Sequence, residues 1–254
     1  MSKALKKSYI RLVSFNVHSG RNTREIAQVF VRDKNLSKAD IILLQEIEFH
    51  QVEKICRAES IARHLGFHFV YEPARQLGAS ATHGLAILSR YPIKKALPIR
   101  LPEFRLLFKL QTRIALVAGI KISGINITVC NIHLDTRLNP KQRMRQLNAC
   151  LTQLKEDYGQ NIIIGGDFNT IPFRTAAGGI PIFYSNQAKH LHKNMIDMGF
   201  NHFCEPLGFT MTSGFLRMRL DHIYTDRLPI AKCGVEKNIH VSDHKPLWAD
   251  IEIF

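Results

Sequence analysis

Apolar runs of strand length recur along the chain: 10–15 (IRLVSF), 41–45 (IILLQ), 67–71 (FHFVY), 84–89 (GLAILS), 114–122 (IALVAGIKI), 125–132 (INITVCNI), 161–166 (NIIIGG), 218–224 (MRLDHIY) and 246–254 (PLWADIEIF). They are rich in Val and Ile and bounded by Gly, Pro, Asn or Asp, the pattern of β-strands punctuated by turns. Between some of them the apolar residues fall at helical spacing instead. The stretch 23–36 (TREIAQVFVRDKNL) is a predicted helix capped by Asn22 or Thr23, and 52–66 (VEKICRAESIARHLG) is a second that stops at Gly66. The third, 139–159 (NPKQRMRQLNACLTQLKEDYG), places Asn139 and Pro140 in cap and first-turn positions. Its Met144, Leu147, Leu151 and Leu154 make one apolar face and leave the opposite face basic.

Ser123-Gly124, between two strand-like runs, predicts a hairpin. Hairpins thus mix with helix-separated strands, which argues against a purely parallel doubly wound sheet. Two stacked mixed sheets with helices outside accommodate both. No Pro-rich or Ser-rich linker, charge block or fixed-period repeat interrupts the sequence, so a single domain over 1–254 is expected.

The apolar runs carry polar ends. Asn16 closes VSFN, Glu46 follows IILLQ, His133 sits in NIHLD, Asp167 and Asn169 in IIIGGDFN, and Asp243 and His244 in VSDHKPL; Asp221 lies inside RLDHIY. Carboxylates are rarely buried unless paired or bound to a metal, so this many at strand ends suggests one shared, oxygen-rich cation site with two histidines beside it. Glu46 suits a hard cation such as magnesium, with Glu48 as a rival on the same face. Asn16 could lend an amide oxygen or orient a phosphate. Asp167 could accept a proton from water that Asn169 orients, with Gly165-Gly166 letting a ligand approach; an ordinary Asx turn is the plainer alternative. His133 and Asp135 fall on one side of a strand, and a histidine beside a carboxylate can stay protonated as an acid or phosphate clamp. Arg217, Arg219 and Asp221 alternate onto one predicted face, with Asp221 placed to orient a histidine. His83, at a strand entrance, could reach phosphate.

Lys and Arg number 35 against 21 for Asp and Glu, a net charge of +14 that favours polyanions, nucleic acid or an anionic membrane surface. Arg137, Lys141, Arg143 and Arg145 follow the His133 cluster, and Arg219 precedes Asp221. The five cysteines form no C-x-x-C pair, so reduced core residues are expected rather than disulfides or a zinc site. No apolar stretch approaches a membrane span and the basic start lacks an apolar signal core, so the expectation is a soluble cytoplasmic protein, leaderless export aside. Nothing indicates an obligate protein partner. There is no G-x-S-x-G elbow, Walker loop, dinucleotide fingerprint or H-E-x-x-H.

Taken in order, VSFNVHSG, LLQEIE, GLAILSRYPI, NIHLDTR, GGDFNT, RLDHIY and VSDHKPL resemble the endonuclease/exonuclease/phosphatase superfamily over nearly the whole chain, with wording similar to small bacterial members. The resemblance implies a deoxyribonuclease-I-like α/β fold, a four-layer α/β sandwich of two stacked mixed β-sheets flanked by helices. It also implies magnesium-assisted phosphoester hydrolysis, with manganese as a possible substitute. Glu46 matches the main metal ligand, and Asn16 and Asp243 match residues of the metal and phosphate shell. Asp167 and Asn169 match the pair that activates and orients water, His133 and His244 the phosphate-binding and acid histidines, and Asp221 the carboxylate supporting the C-terminal histidine. His83, Arg137, Arg143 and Arg219 are the substrate-binding candidates. Asp135 departs from many relatives and could perturb His133 or hold a second cation.

The leading expectation is a magnesium-dependent nuclease, with Phe173 and Tyr184 as stacking candidates. The alternative is a phospholipid or phosphoinositide hydrolase docking on an anionic bilayer through 171–184 (IPFRTAAGGIPIFY). A binding module without catalysis fits poorly, because every expected catalytic position is filled.

Overall fold

The apolar runs do form strands, and helices join the pairs that must run parallel. The computed structural model describes residues 8–52, 54–104, 112–171, 173–175, 181–183, 187–205, 208–214 and 216–253. The first part contains β1 (Ser8–Ser19), α1 (Thr23–Arg32), β2 (Ile41–His50), β3 (Ile55–Cys56), α2 (Arg57–Leu65), β4 (His68–Leu77) and β5 (Ala81–Ser89). Next come β6 (Ile93–Arg100), β7 (Ile114–Ile122), β8 (Ile125–His133), α3 (Pro140–Tyr158) and β9 (Ile162–Asp167). The last part has β10 (Phe173–Thr175), β11 (Pro181–Phe183), α4 (Gln187–Asp197), β12 (His202–Phe203), β13 (Met211–Ser213), β14 (Leu216–Met218), β15 (Asp221–Thr225), β16 (Ile230–Val235) and β17 (Leu247–Ile253).

One sheet has the order β16-β17-β1-β2-β5-β4, with β3 against β2; the other runs β12-β15-β9-β8-β7-β6. Each has one parallel pair at its centre, β1 with β2 and β8 with β9, among antiparallel neighbours. A parallel pair needs a crossover, which α1 and α3 supply. Alternation of side chains along each strand then sorts the core into three layers. Leu12, Ile41, Leu43, Val129, Ile163 and Ile223 pack between the sheets. Val13, Phe15, Ile42 and Leu44 meet Ile26, Phe30 and Ile61 of α1 and α2, while Ile132, Ile164 and Phe168 meet Leu147, Leu151 and Leu191 of α3 and α4. The result is the expected four-layer sandwich. No helix among the described residues is long and apolar enough to cross a membrane.

Several local expectations change. Helix α1 ends at Arg32 because Asp33 is extended and its carboxylate accepts from the Asn35 and Leu36 amides, starting a new turn. Helix α2 begins at Arg57 because Ile55 and Cys56 pair with β2. Helix α3 has the expected start: the Asn139 side chain accepts from the Gln142 amide and the Gln142 side chain accepts from Asn139. Helix α4 was not anticipated; its polar sequence buries only Leu191 and Met195. The run 218–224 breaks at Arg219-Leu220, so Arg217, Arg219 and Asp221 do not share one strand face. Gly165 and Gly166 face protein rather than a ligand: a Cβ on Gly166 would lie 1.9 Å from the Ile132 carbonyl oxygen of β8, and one on Gly165 3.0 Å from Leu43. The cysteine expectation fails for one pair. Cys204 and Cys233, 29 residues apart, form a disulfide at a Cα separation of 5.8 Å, because folding sets the segment after β12 against β16 of the other sheet. Cys56, Cys130 and Cys150 are free and buried.

Beneath one end of the sandwich, buried amides tie the sheets together. Gln45 Nε2 of β2 donates to Asn131 Oδ1 of β8 at 2.7 Å, and Asn131 Nδ2 donates to the Leu44 and Ala86 carbonyls, each at 2.9 Å. Both side chains are fully buried. Removing one partner strands the others without water. Asn131→Ala is expected to lower unfolding free energy by about 3 kcal/mol, read from urea denaturation; a loss under about 0.5 kcal/mol would show that the sheets do not depend on this link.

Candidate active site

The C-terminal ends of the four central parallel strands meet just above this amide link. Asn16 ends the regular pairing of β1, Glu46 lies in β2, His133 ends β8 and Asp167 ends β9. His133, Asp167 and Asp221 are register partners across β8, β9 and β15, so all three side chains face the cleft between the sheets. Glu46 reaches the same cleft by a different device. A bulge between Gln45 and Ile47, with Glu46 at φ 58°, inserts one extra residue and turns its carboxylate inward beside Gln45.

Direct contacts close the site across the sheets. Asn16 Nδ2 donates to Asp167 Oδ2 at 3.1 Å. His133 Nε2 is 3.8 Å from Glu46 Oε1 and 3.5 Å from Asp167 Oδ2, so one ring nitrogen faces both carboxylates. His244 Nδ1 pairs with Asp221 Oδ2 at 2.9 Å, while its Nε2 lies 3.7 Å from Asp167 Oδ2. The His83 ring is 3.7 Å from Glu46 Oε2. The residues expected to gather at one site, Asn16, Glu46, His83, His133, Asp167, Asn169, Asp221, Asp243 and His244, are therefore brought together.

Asp167 and Asn169 are neighbours through a turn and not through extended chain. The Asn169 amide donates to Asp167 Oδ1 at 2.9 Å, its φ is 50°, and its side-chain nitrogen donates to the Leu134 carbonyl at 2.7 Å. The Asx-turn reading is correct as geometry, with the Asn169 backbone amide closing on the Asp167 carboxylate. Asp243 is exposed at the mouth, where His18 Nδ1 lies 3.8 Å from both Asp243 Oδ1 and Glu46 Oε2. Glu48 does not rival Glu46: it is held by Arg57 at 2.6 Å and His50 at 2.8 Å.

The basic candidates are engaged within the protein. Arg137 grips Asp135 through two bonds of 3.0 and 2.7 Å, so Asp135 pairs with Arg137 and not with His133. Arg143 is buried and donates to the Thr136 carbonyl and Gln187 Oε1. Arg219 Nε donates to the Gly208 carbonyl at 3.3 Å. Tyr184 and much of 171–184 lie outside the described residues, as does any account of the Phe173 side chain.

Environment separates the ionisable groups. Burial alone would raise the Glu46 carboxyl, but the nearby His83 ring and the Asn16 amide hold it well below the usual carboxylate range. Burial pushes Asp167 up, against the opposing charge of His244. Burial would lower His244, yet Asp221 and Asp167 raise it to about 10. Burial and the Arg113 charge drive His133 well down, the direction that favours the uncharged ring.

Two groupings could hold a cation. Ligand atoms of Asp167, Asp221 and His244 lie within 4.8 Å of one another. There, however, His244 Nδ1 is engaged by Asp221 Oδ2 at 2.9 Å, and the two carboxylates favour the charged ring, a form with no lone pair for a metal. Glu46 and Asp243 instead lie at the mouth, each 3.8 Å from His18 Nδ1, with the Glu46 side chain a quarter exposed and its carboxyl held low. Carboxylate oxygens open to water suit a hard divalent cation, and Asn16 ties that corner to Asp167.

Sequence reasoning missed Arg113, whose Nη1 lies 2.9 Å from His133 Nδ1, and the Gln45–Asn131 link. Polar residues inside or just before apolar runs were the available signal: Arg113 precedes IALVAGIKI, Gln45 ends IILLQ, and Asn131 sits two residues before His133 on the same face.

The model of the Endonuclease/Exonuclease/phosphatase family matches residues 13–244, and the chain belongs to that family of phosphoric ester hydrolases, whose members generally use a divalent metal. No curated protein matches the chain. Among solved structures it is similar to an endonuclease/exonuclease/phosphatase family protein from Bacteroides thetaiotaomicron, at 18% identity and TM-score 0.74, covering 98% of this chain and 100% of that one. It is also similar to the mannosyl-6-phosphatase Bt3783 of Bacteroides thetaiotaomicron VPI-5482 (17% identity, TM-score 0.66, coverage 96% and 100%). D. rerio TDP2 complexed with a single-strand DNA product is a third, at 15% identity and TM-score 0.65, with coverage of 96% and 99%.

The raised His244 pKa has a consequence for stability. A group raised on folding stabilises fully below its unfolded value, here near 6.5, and that contribution is lost as pH climbs through the folded value of about 10. In chelator, the urea midpoint of the wild type should fall more steeply between pH 6.5 and 10 than that of His244→Gln. Parallel curves would show that His244 is not held as a cation.

Proposed function

We propose that the protein hydrolyses phosphodiester bonds of nucleic acid by magnesium-assisted attack of water. The observation that carries the hydrolytic part is the convergence of Glu46, Asp167, Asp221 and two imidazoles in one cleft. The polyanion part rests on the net charge of +14.

Asp167, poised high by burial, takes the proton of the attacking water once it is ionised, and Asn169, whose backbone amide donates to Asp167 Oδ1, is the neighbour that orients that water. Asp221 holds the His244 ring, and the charged His244 sits against a nonbridging phosphoryl oxygen. His133 faces the same space from β8. A divalent cation held by Glu46, with Asp243 and Asn16 beside it, would offset the charge that builds on a phosphoryl oxygen.

Relaxation of supercoiled plasmid in magnesium tests this reading, beside a panel of abasic duplex, RNA, phosphoinositides and sphingomyelin. Plasmid nicking that disappears in chelator is expected, with Asp167→Asn slower by at least about a hundredfold, roughly 3 kcal/mol of barrier. Turnover confined to lipids, with sedimentation on anionic liposomes, would replace nucleic acid by a membrane substrate; full magnesium-dependent activity in Asp167→Asn would remove that residue from the mechanism.

A further inference from the structure

Arg113 lies just before β7 and is nearly buried, and its Nη1 stands 2.9 Å from Nδ1 of His133, itself 2% exposed. A guanidinium offers five N–H donors and no acceptor. The contact can therefore be a hydrogen bond only if His133 Nδ1 supplies its lone pair. The ring proton then resides on Nε2, the nitrogen that faces the cleft between Glu46 and Asp167. The other tautomer would set N–H against N–H across this buried contact. A doubly protonated ring would also place two cations face to face in a poorly solvated site. His133 Nε2 is itself buried and makes no hydrogen bond within the described protein. A buried donor left open is costly unless a ligand completes it. Asp135 helps keep the guanidinium charged, since burial pulls the Arg113 pKa down and the Asp135 carboxylate opposes that.

We propose that Arg113 is a positioning residue that locks His133 in its Nε2–H form, so that His133 meets a phosphoryl oxygen as an uncharged hydrogen-bond donor and takes no part as an acid. The phosphoryl partner rests on the hydrolase reading above; the tautomer does not. The division of labour that follows is simple. His244 is the charged imidazole of the site, and His133 supplies direction without charge.

Long-range 1H–15N correlation of the 15N-labelled, metal-free protein at pH 7.5 reads the tautomer directly. The expected His133 pattern is a protonated Nε2 with a bare Nδ1. Arg113→Lys, which still presents a cationic donor, should keep that pattern. Arg113→Met should release the ring into mixed forms and lower magnesium-dependent plasmid nicking by about 10- to 100-fold, as loss of an outer partner of a site histidine does. A wild-type ring protonated at Nδ1 or at both nitrogens overturns the proposal, as does Arg113→Met with unaltered tautomer and turnover. If Arg113→Met does not fold, the wild-type and Arg113→Lys spectra decide. Absent nicking with the expected tautomer would count against the substrate reading and leave the lock standing.

Discussion

Two buried carboxylates sharing one imidazole is the contact on which this structure turns. Asp167 and Asp221 are each about 1% exposed, and neighbouring like charges cannot both ionise in an apolar setting without compensation. His244 supplies it, at 2.9 Å from Asp221 and 3.7 Å from Asp167. The histidine comes from the far end of the chain, just before β17 in the other sheet, while both carboxylates belong to β9 and β15. The charges therefore balance only when the two sheets face each other in the correct register. The Asn16–Asp167 bond makes the same crossing from β1.

The rest of the architecture serves that alignment. Parallel central pairs place strand ends, with their polar residues, at one edge of the sandwich. The Gln45–Asn131 link closes the core below them, separating aliphatic packing from the wet end. One inserted residue at Glu46 turns a carboxylate into the cleft that regular alternation would have kept out. Arg57 braces this corner from outside, holding Glu48 at 2.6 Å and the Ser19 carbonyl at 2.8 Å, so the β1 and β2 loops keep a fixed spacing.

Much of the site was legible because a polar residue ending an apolar run stands out in sequence, as Asp167 does after NIIIGG and His133 after INITVCNI. Strand identity was legible for the same reason. What the pattern could not carry is who faces whom. Arg137 and Arg143 read as free cations near the cleft, but each meets a partner, Asp135 or Gln187, chosen by turn and helix packing. Cys204 and Cys233 looked unrelated at 29 residues' separation, and only the meeting of two sheets pairs them. Helix α4 escaped notice because two buried residues in eleven are too few to show a period. Gly166 suggested room for a ligand; the space is taken by the neighbouring strand.

Separating a charged histidine from a neutral one, and an ionised carboxylate from one poised high, gives the cleft distinct roles from few residue types. The proposed mechanism requires a cation at Glu46, toward the mouth, leaving Asp167 free for water. Anomalous diffraction from crystals soaked in manganese locates the ion directly. The account predicts a peak about 2.1 Å from a Glu46 carboxylate oxygen. A peak bound instead among Asp167, Asp221 and His244, with Glu46 unligated, would contradict it.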